Sequence, residues 1–208
     1  MDSKTNQQMA VCVMVGGKST RMGQPKEHVM IPALGMTFLD KVCREIDQCT
    51  GTAITGRYLS TRRGQKIERF GYVPVQDQYE ETGPMGGMYS VLSKAFEDGY
   101  AAVLFLACDM IHMEAAELQS ICASYQGEDI LFARTQNCFV QPFGSVYKTA
   151  IAGELKKKID AGDYRLRSLQ NTGLSIHYYD SDNPVMFDNI NESSDLSRIC
   201  HGLSAIVL

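Results

Sequence analysis

Residues 101–108 read AAVLFLAC, a run without a charged or amide side chain. As a strand, such a run has no wet face. It must be buried on both sides, inside a sheet covered by helices above and below. MAVCVMV at 9–15 makes the same demand. Between such runs the apolar spacing turns helical: TFLDKVCREIDQC at 37–49 places Phe38, Leu39, Val42 and Ile46 on one face. The spacing predicts further helices over 85–98, 114–125 and 148–160, and a short one over 165–171. Strands are expected at 52–55, 72–76, 128–134, 139–147 and around 174–180. The polar YLSTRRGQKIERF between two of these reads as irregular, with a short helix. A last helix is expected from NINESSDLSRI, with Ser193 or Ser194 near its N-cap. Strand and helix in alternation imply an α/β fold with a mainly parallel sheet in three α/β/α layers. The chain has 208 residues and neither a repeat nor a linker, which suits a single domain over 1–208. Ligands of such sheets lie beyond the C-terminal strand ends, so chemistry is expected just after each strand.

The formal net charge is -4 and no basic arm is present, which argues against nucleic acid as a partner. No apolar run reaches the roughly 20 residues of a membrane span. Seven cysteines form no C-x-x-C pair, and several sit inside apolar runs. The odd count and the polar start MDSKTNQQ lead us to expect a cytoplasmic protein with buried thiols. Zinc-ligand spacings are absent.

Residues 16–20 read GGKST, the ending of a P-loop. A Walker motif needs its first glycine five residues before that Gly-Lys-Ser, where this chain has Cys12 inside a predicted strand. The P-loop reading therefore fails. Anion-binding chemistry remains: Gly16 and Gly17 permit a tight turn with exposed N–H groups, Ser19 and Thr20 offer hydroxyls, and Lys18, Arg21 and Lys26 supply cations. An ordinary basic turn is the alternative. Asp109 ends the most apolar strand, where a carboxylate is desolvated unless paired. It is either a structural carboxylate or a magnesium ligand beside a phosphate. His112 is a poor magnesium ligand, and Cys108 lacks a partner histidine. Asp77 is a turn residue or an acceptor for ribose or base donors. Asn189 and Asn191 flank Ile190 and face one side if extended.

The stretch GGKSTRMGQPK resembles the signature loop of the α/β nucleotidyltransferases, in particular the molybdenum cofactor guanylyltransferases, the MobA family. VPVQDQYEETGPMGGMYSVL, LFLACDM and FDNINESSDL resemble that family's further segments, in the same order and over nearly the whole chain. The resemblance implies a Rossmann-like nucleotidyltransferase fold whose N-terminal half binds nucleotide and whose C-terminal half binds the acceptor. It implies transfer of GMP from GTP to Mo-molybdopterin, giving molybdopterin guanine dinucleotide and pyrophosphate, with Mg²⁺ as cofactor and Mn²⁺ as a substitute. Gly16, Gly17, Lys18, Ser19, Arg21, Lys26, Asp77, Gly83, Pro84 and Gly87 would line the nucleotide. Arg21, Lys26 and Asp109 would be catalytic, with Asp109 on the metal. Gln141, Pro142, Arg165, Asn189 and Asn191 would face the acceptor, and Arg167 is a further candidate for an anionic acceptor. Other cofactor-biosynthesis proteins and client molybdoenzymes would be partners of a monomer or weak homo-oligomer.

Departures from the family pattern are Ala107 and Ile111, where prolines are usual, and Gln141-Pro142 in place of His-Pro. None removes a charge from the phosphate or metal set. The alternatives are a related enzyme using CTP or another nucleotide with a different phosphorylated acceptor, and a non-catalytic nucleotide- or pterin-binding delivery module.

Overall fold

The computed structural model describes residues 8–15, 23–135 and 139–190. Its strands are β1 (Met9–Met14), β2 (Met30–Ile31), β3 (Met36–Thr37), β4 (Ile54–Thr61), β5 (Val73–Gln76), β6 (Ala102–Ala107), β7 (Ile130–Arg134), β8 (Val140–Lys148) and β9 (Ile176–Asp180). Its helices are α1 (Phe38–Gln48), α2 (Pro84–Glu97), α3 (Ala115–Ser124) and α4 (Ala152–Asp160). β2 and β3 form a small antiparallel hairpin, and the other strands make one sheet in the order β5-β4-β1-β6-β8-β7-β9.

β5, β4, β1 and β6 run parallel, as expected of a sheet built by helical crossovers. β8 departs from that pattern, pairing antiparallel with both β6 and β7, while β9 returns parallel to β7. The double burial inferred from the apolar runs is present residue by residue. Leu104 and Leu106 of β6 pack on the side of α1 and α3, while Val103 and Phe105 pack on the side of α2 and α4. α1 opens with a capping box in which the Thr37 hydroxyl accepts from Asp40 N–H at 3.1 Å. No helix among the described residues is long and apolar enough to cross a membrane.

Two expectations need correction, and a third falls on residues that are not described. The strand expected at 52–55 begins at Ile54 and continues through YLST to Thr61, with no helix in the segment after it. Ser60 and Thr61 are polar yet 2% and 0% exposed, because their hydroxyls bond to Asp77 and to the carbonyl of Val75 on the neighbouring strand side. Tertiary partners satisfied what the local sequence read as surface. The segment 165–171 is a 3-10 turn over Leu166–Asn171 and not an α-helix. The helix expected after Asn191 lies outside the described residues.

The candidate active site

The chain leaves β1 toward β4 on one side and returns through β6 on the other, so the C-terminal ends of β1 and β6 flank a topological switch point. Cys12 sits in mid-strand there, opposite Tyr58 and Phe105, which rules out a Walker loop beginning at that position. Asp109 follows β6 directly and is 7% exposed. Lys26 opens a 3-10 turn over Lys26–His28, and its Nζ donates to Asp109 Oδ2 at 2.5 Å. The residues that bear these groups are 83 apart in sequence, so the sheet brings them together.

A cavity of about 720 Å³ opens over this pair, within the usual size of small-molecule sites. Lys26, Asp77, Gly83, Pro84, Asp109 and Asn189 all line it. Asp77 Oδ1 accepts from Ser60 Oγ at 3.2 Å. Burial raises the Asp77 carboxyl above its ordinary value, while the Ser60 hydroxyl and the Arg62 guanidinium pull it back down. Gly87 does not line the cavity but makes its wall possible. A Cβ there would stand 2.5 Å from Ser60 Oγ and 2.8 Å from Asp77 Oδ1. Gly83 caps α2 at φ 60, ψ -149, a conformation essentially confined to glycine. The positive end of α2 therefore faces the cavity at Gly83 and Pro84.

A second cavity of about 560 Å³ shares Pro84, Phe143 and Asn189 with the first. It gathers Gln141, Pro142 and Arg165 of the residues expected to face an acceptor. Arg165 is largely committed elsewhere, donating to Asp163 at 2.8 Å with its side chain 82% exposed. Arg167 instead lies inside the cavity with its guanidinium carbon 3.9 Å from the centre of the Phe139 ring. Asn189 is brought to both cavities by its neighbour, since Ile190 N–H donates to Asp109 O at 3.2 Å.

Gly16, Gly17, Lys18, Ser19, Arg21 and Asn191 lie outside the described residues. Sequence reasoning missed Ser60, Arg62, Tyr79 and Phe143 in the first cavity and Phe139 in the second. Ser60 and Arg62 flank the C-terminal end of β4, and recognising that strand at full length would have pointed to both. The Cys108 thiol is 5% exposed and burial drives its pKa far up, so it is a packed side chain and not a nucleophile. Among the described residues no cluster of three or more histidine, cysteine or carboxylate ligands forms a protein-only metal cage. Asp109 with Asn189 is an oxygen donor set suited to a hard cation that takes its other ligands from phosphate and water.

Comparison with known proteins agrees with this architecture. The probable molybdenum cofactor guanylyltransferase of Thermococcus gammatolerans is 27% identical over 93% of this chain and 100% of its own length. Among solved structures, Rv0371c of Mycobacterium tuberculosis H37Rv superposes with a TM-score of 0.75 at 18% identity, covering 95% of this chain and 100% of that one. A manganese complex of Rv0371c also matches, at a TM-score of 0.61 and 15% identity over 93% and 97% of the two chains. Molybdopterin-guanine dinucleotide biosynthesis protein A of Archaeoglobus fulgidus gives a TM-score of 0.71 at 22% identity, covering 95% and 100%. The MobA-like NTP transferase domain matches residues 11–177, and the chain belongs to that nucleotidyltransferase family.

Proposed function

We propose that the chain is a molybdenum cofactor guanylyltransferase, which transfers GMP from GTP to the terminal phosphate of Mo-molybdopterin and releases pyrophosphate. The observation that carries this reading is the Lys26–Asp109 pair in a cavity that shares the wall of Pro84, Phe143 and Asn189 with a second one. One cavity suits a nucleoside triphosphate and the other an acceptor whose phosphate would cross the shared wall at Asn189. The Thermococcus relative, a probable molybdenum cofactor guanylyltransferase, supports the choice of GTP and molybdenum cofactor.

Asp109, with Asn189 beside it, would hold Mg²⁺ or Mn²⁺, and the manganese complex of the mycobacterial neighbour supports a divalent ion. When bound, the ion supplies charge neutralisation on the triphosphate and orients its oxygens. The remaining work falls to the chain itself. Lys26 would turn from Asp109 to the phosphates as a point cation, and the α2 N-terminus would add partial positive charge. Arg21 completes the cation set proposed from sequence. An acceptor phosphate is ionised near neutral pH, so no general base is required and positioning dominates. Asp77 would accept from ribose hydroxyls or base N–H groups in the first cavity. Gln141, Pro142 and Arg167 would face the acceptor. Cofactor-biosynthesis proteins and client molybdoenzymes would deliver and receive it.

The test is pyrophosphate release with Mg²⁺ and each of GTP, CTP, ATP and UTP, with and without Mo-molybdopterin. Acceptor-dependent release that favours GTP supports the proposal. Release that favours CTP, or that needs no acceptor, replaces it with another reaction. Nucleotide binding without release would make the chain a delivery module.

A further inference from the structure

Glu27 has no part in the chemistry above, yet it is a carboxylate only 2% exposed beside Lys26. Its Oε1 accepts from Gln65 Nε2 at 2.5 Å, and its Oε2 is buried without a hydrogen-bond partner among the described residues. The same Gln65 amide nitrogen lies 3.4 Å from the carbonyl of Val15, the residue after β1. Gln65 Oε1 accepts the backbone N–H of Arg62 at 2.9 Å, and Arg62 lines the first cavity. One side-chain amide thus ties together Val15, Glu27 and Arg62, which lie on either side of residues 16–25 and at the end of β4. Electrostatics agree with this placement: the Cys108 thiol is held up by burial first, then by Asp109 and by Glu27.

A brace selected only for stability would not carry such a carboxylate. A buried oxygen without a partner opposes folding, and an apolar residue of similar volume would fill the space without that cost. We propose that Glu27 and Gln65 are positioning residues for nucleotide binding. They fix the spacing between Lys26 and Arg62, so that both cations meet one bound triphosphate. This rests on the nucleotidyltransferase reading of the first cavity.

The test uses the full chain and measures GTP affinity with Mg²⁺ by calorimetry, alongside Tm and circular dichroism. Gln65→Glu sets two carboxylates against each other at a distance where both cannot stay ionised and paired. GTP binding should weaken about tenfold or more at pH 8, the size expected for losing hydrogen bonds to a charged group. The exchange Glu27→Gln with Gln65→Glu restores a donor–acceptor pair of reversed polarity between the two side chains, though not the donor to the Val15 carbonyl, and should recover part of the loss. Gln65→Leu serves where Gln65→Glu does not fold, with the same loss of affinity expected. If Gln65→Glu and Gln65→Leu bind GTP as tightly as wild type, the proposal is wrong. An exchange variant that folds but binds as weakly as Gln65→Glu also overturns it. Wild type that binds no nucleoside triphosphate would sink the functional reading, and this inference with it.

Discussion

Asp109→Asn separates chemistry from structure at the centre of the site. The amide keeps the shape of the side chain and one oxygen toward Lys26 Nζ, so the hydrogen bond at 2.5 Å survives while the counter-charge does not. Cutting one member from a fully buried ion pair costs about 3–5 kcal/mol. Here the Lys26 side chain is 17% exposed and retains an acceptor, so we expect about 1–2 kcal/mol, or a Tm lower by about 2–8 °C. That leaves nearly all of the protein folded if the domain has an ordinary stability of about 5–15 kcal/mol. Turnover is a different matter. Removing one charged group that stabilises a transition state costs about 10²–10³-fold, or about 2.7–4 kcal/mol. The assay is pyrophosphate release at saturating GTP and acceptor across a Mg²⁺ and Mn²⁺ titration, with thermal unfolding of the same samples. Turnover within about threefold of wild type at saturating metal would refute the assignment of Asp109. So would a fall in activity that merely follows the folded fraction.

Gly87→Ala should push Asp77 and Ser60 aside, because its Cβ would overlap both. Stability should fall by about 1–3 kcal/mol, and KM for GTP should rise more than kcat falls, both measured by denaturant unfolding and steady-state kinetics. Asp77→Asn should stabilise the protein at pH 7. Burial raises the folded carboxyl's pKa, so this group favours folding below its ordinary 3.8 and loses that contribution as pH rises through the folded value. Urea unfolding at pH 7 and at about pH 3 should show the gain at the former and little at the latter, while GTP affinity drops. Arg167→Ala removes the guanidinium from over Phe139 and should cost less than about 1 kcal/mol in stability. Acceptor KM should rise several-fold with GTP affinity retained, which a two-substrate initial-rate series would read.

The apolar runs at 9–15 and 101–108 carried most of the fold, because double burial leaves a strand little choice of neighbours. They also placed Asp109 and Val15, where the proposed phosphate-binding loop begins, at adjacent strand ends. The C-terminal half of β4 was hidden for a physical reason. Ser60 and Thr61 become core residues only once Asp77 and the Val75 carbonyl are beside them, and those partners come from another strand. Gly87 shows the same limit from the other direction: its value lies in a Cβ that is missing, against side chains far away in sequence. The Arg167–Phe139 contact depends on where β8 and the 3-10 turn at Leu166 meet, which no local pattern encodes. Gln65 sat in a stretch that read as irregular, so its three-way bonding was invisible before the fold was known.

β8 runs against its neighbours β6 and β7. Because of that reversal, it enters the sheet at the end where β6 leads to Asp109, and Gln141, Pro142 and Phe143 near its start line the second cavity. β7 and β8 therefore pair as a hairpin beside the second cavity, tied at its described end by Thr135 N–H donating to Phe139 O at 3.2 Å. A hairpin can be lengthened or rewritten without shifting the register of the strands that support it. On the proposed assignment of the two cavities, nucleotide chemistry and acceptor choice would be mounted on separately adjustable parts of one sheet. On that assignment, grafting a different hairpin onto this position should change acceptor preference while the Lys26–Asp109 pair stayed as it is.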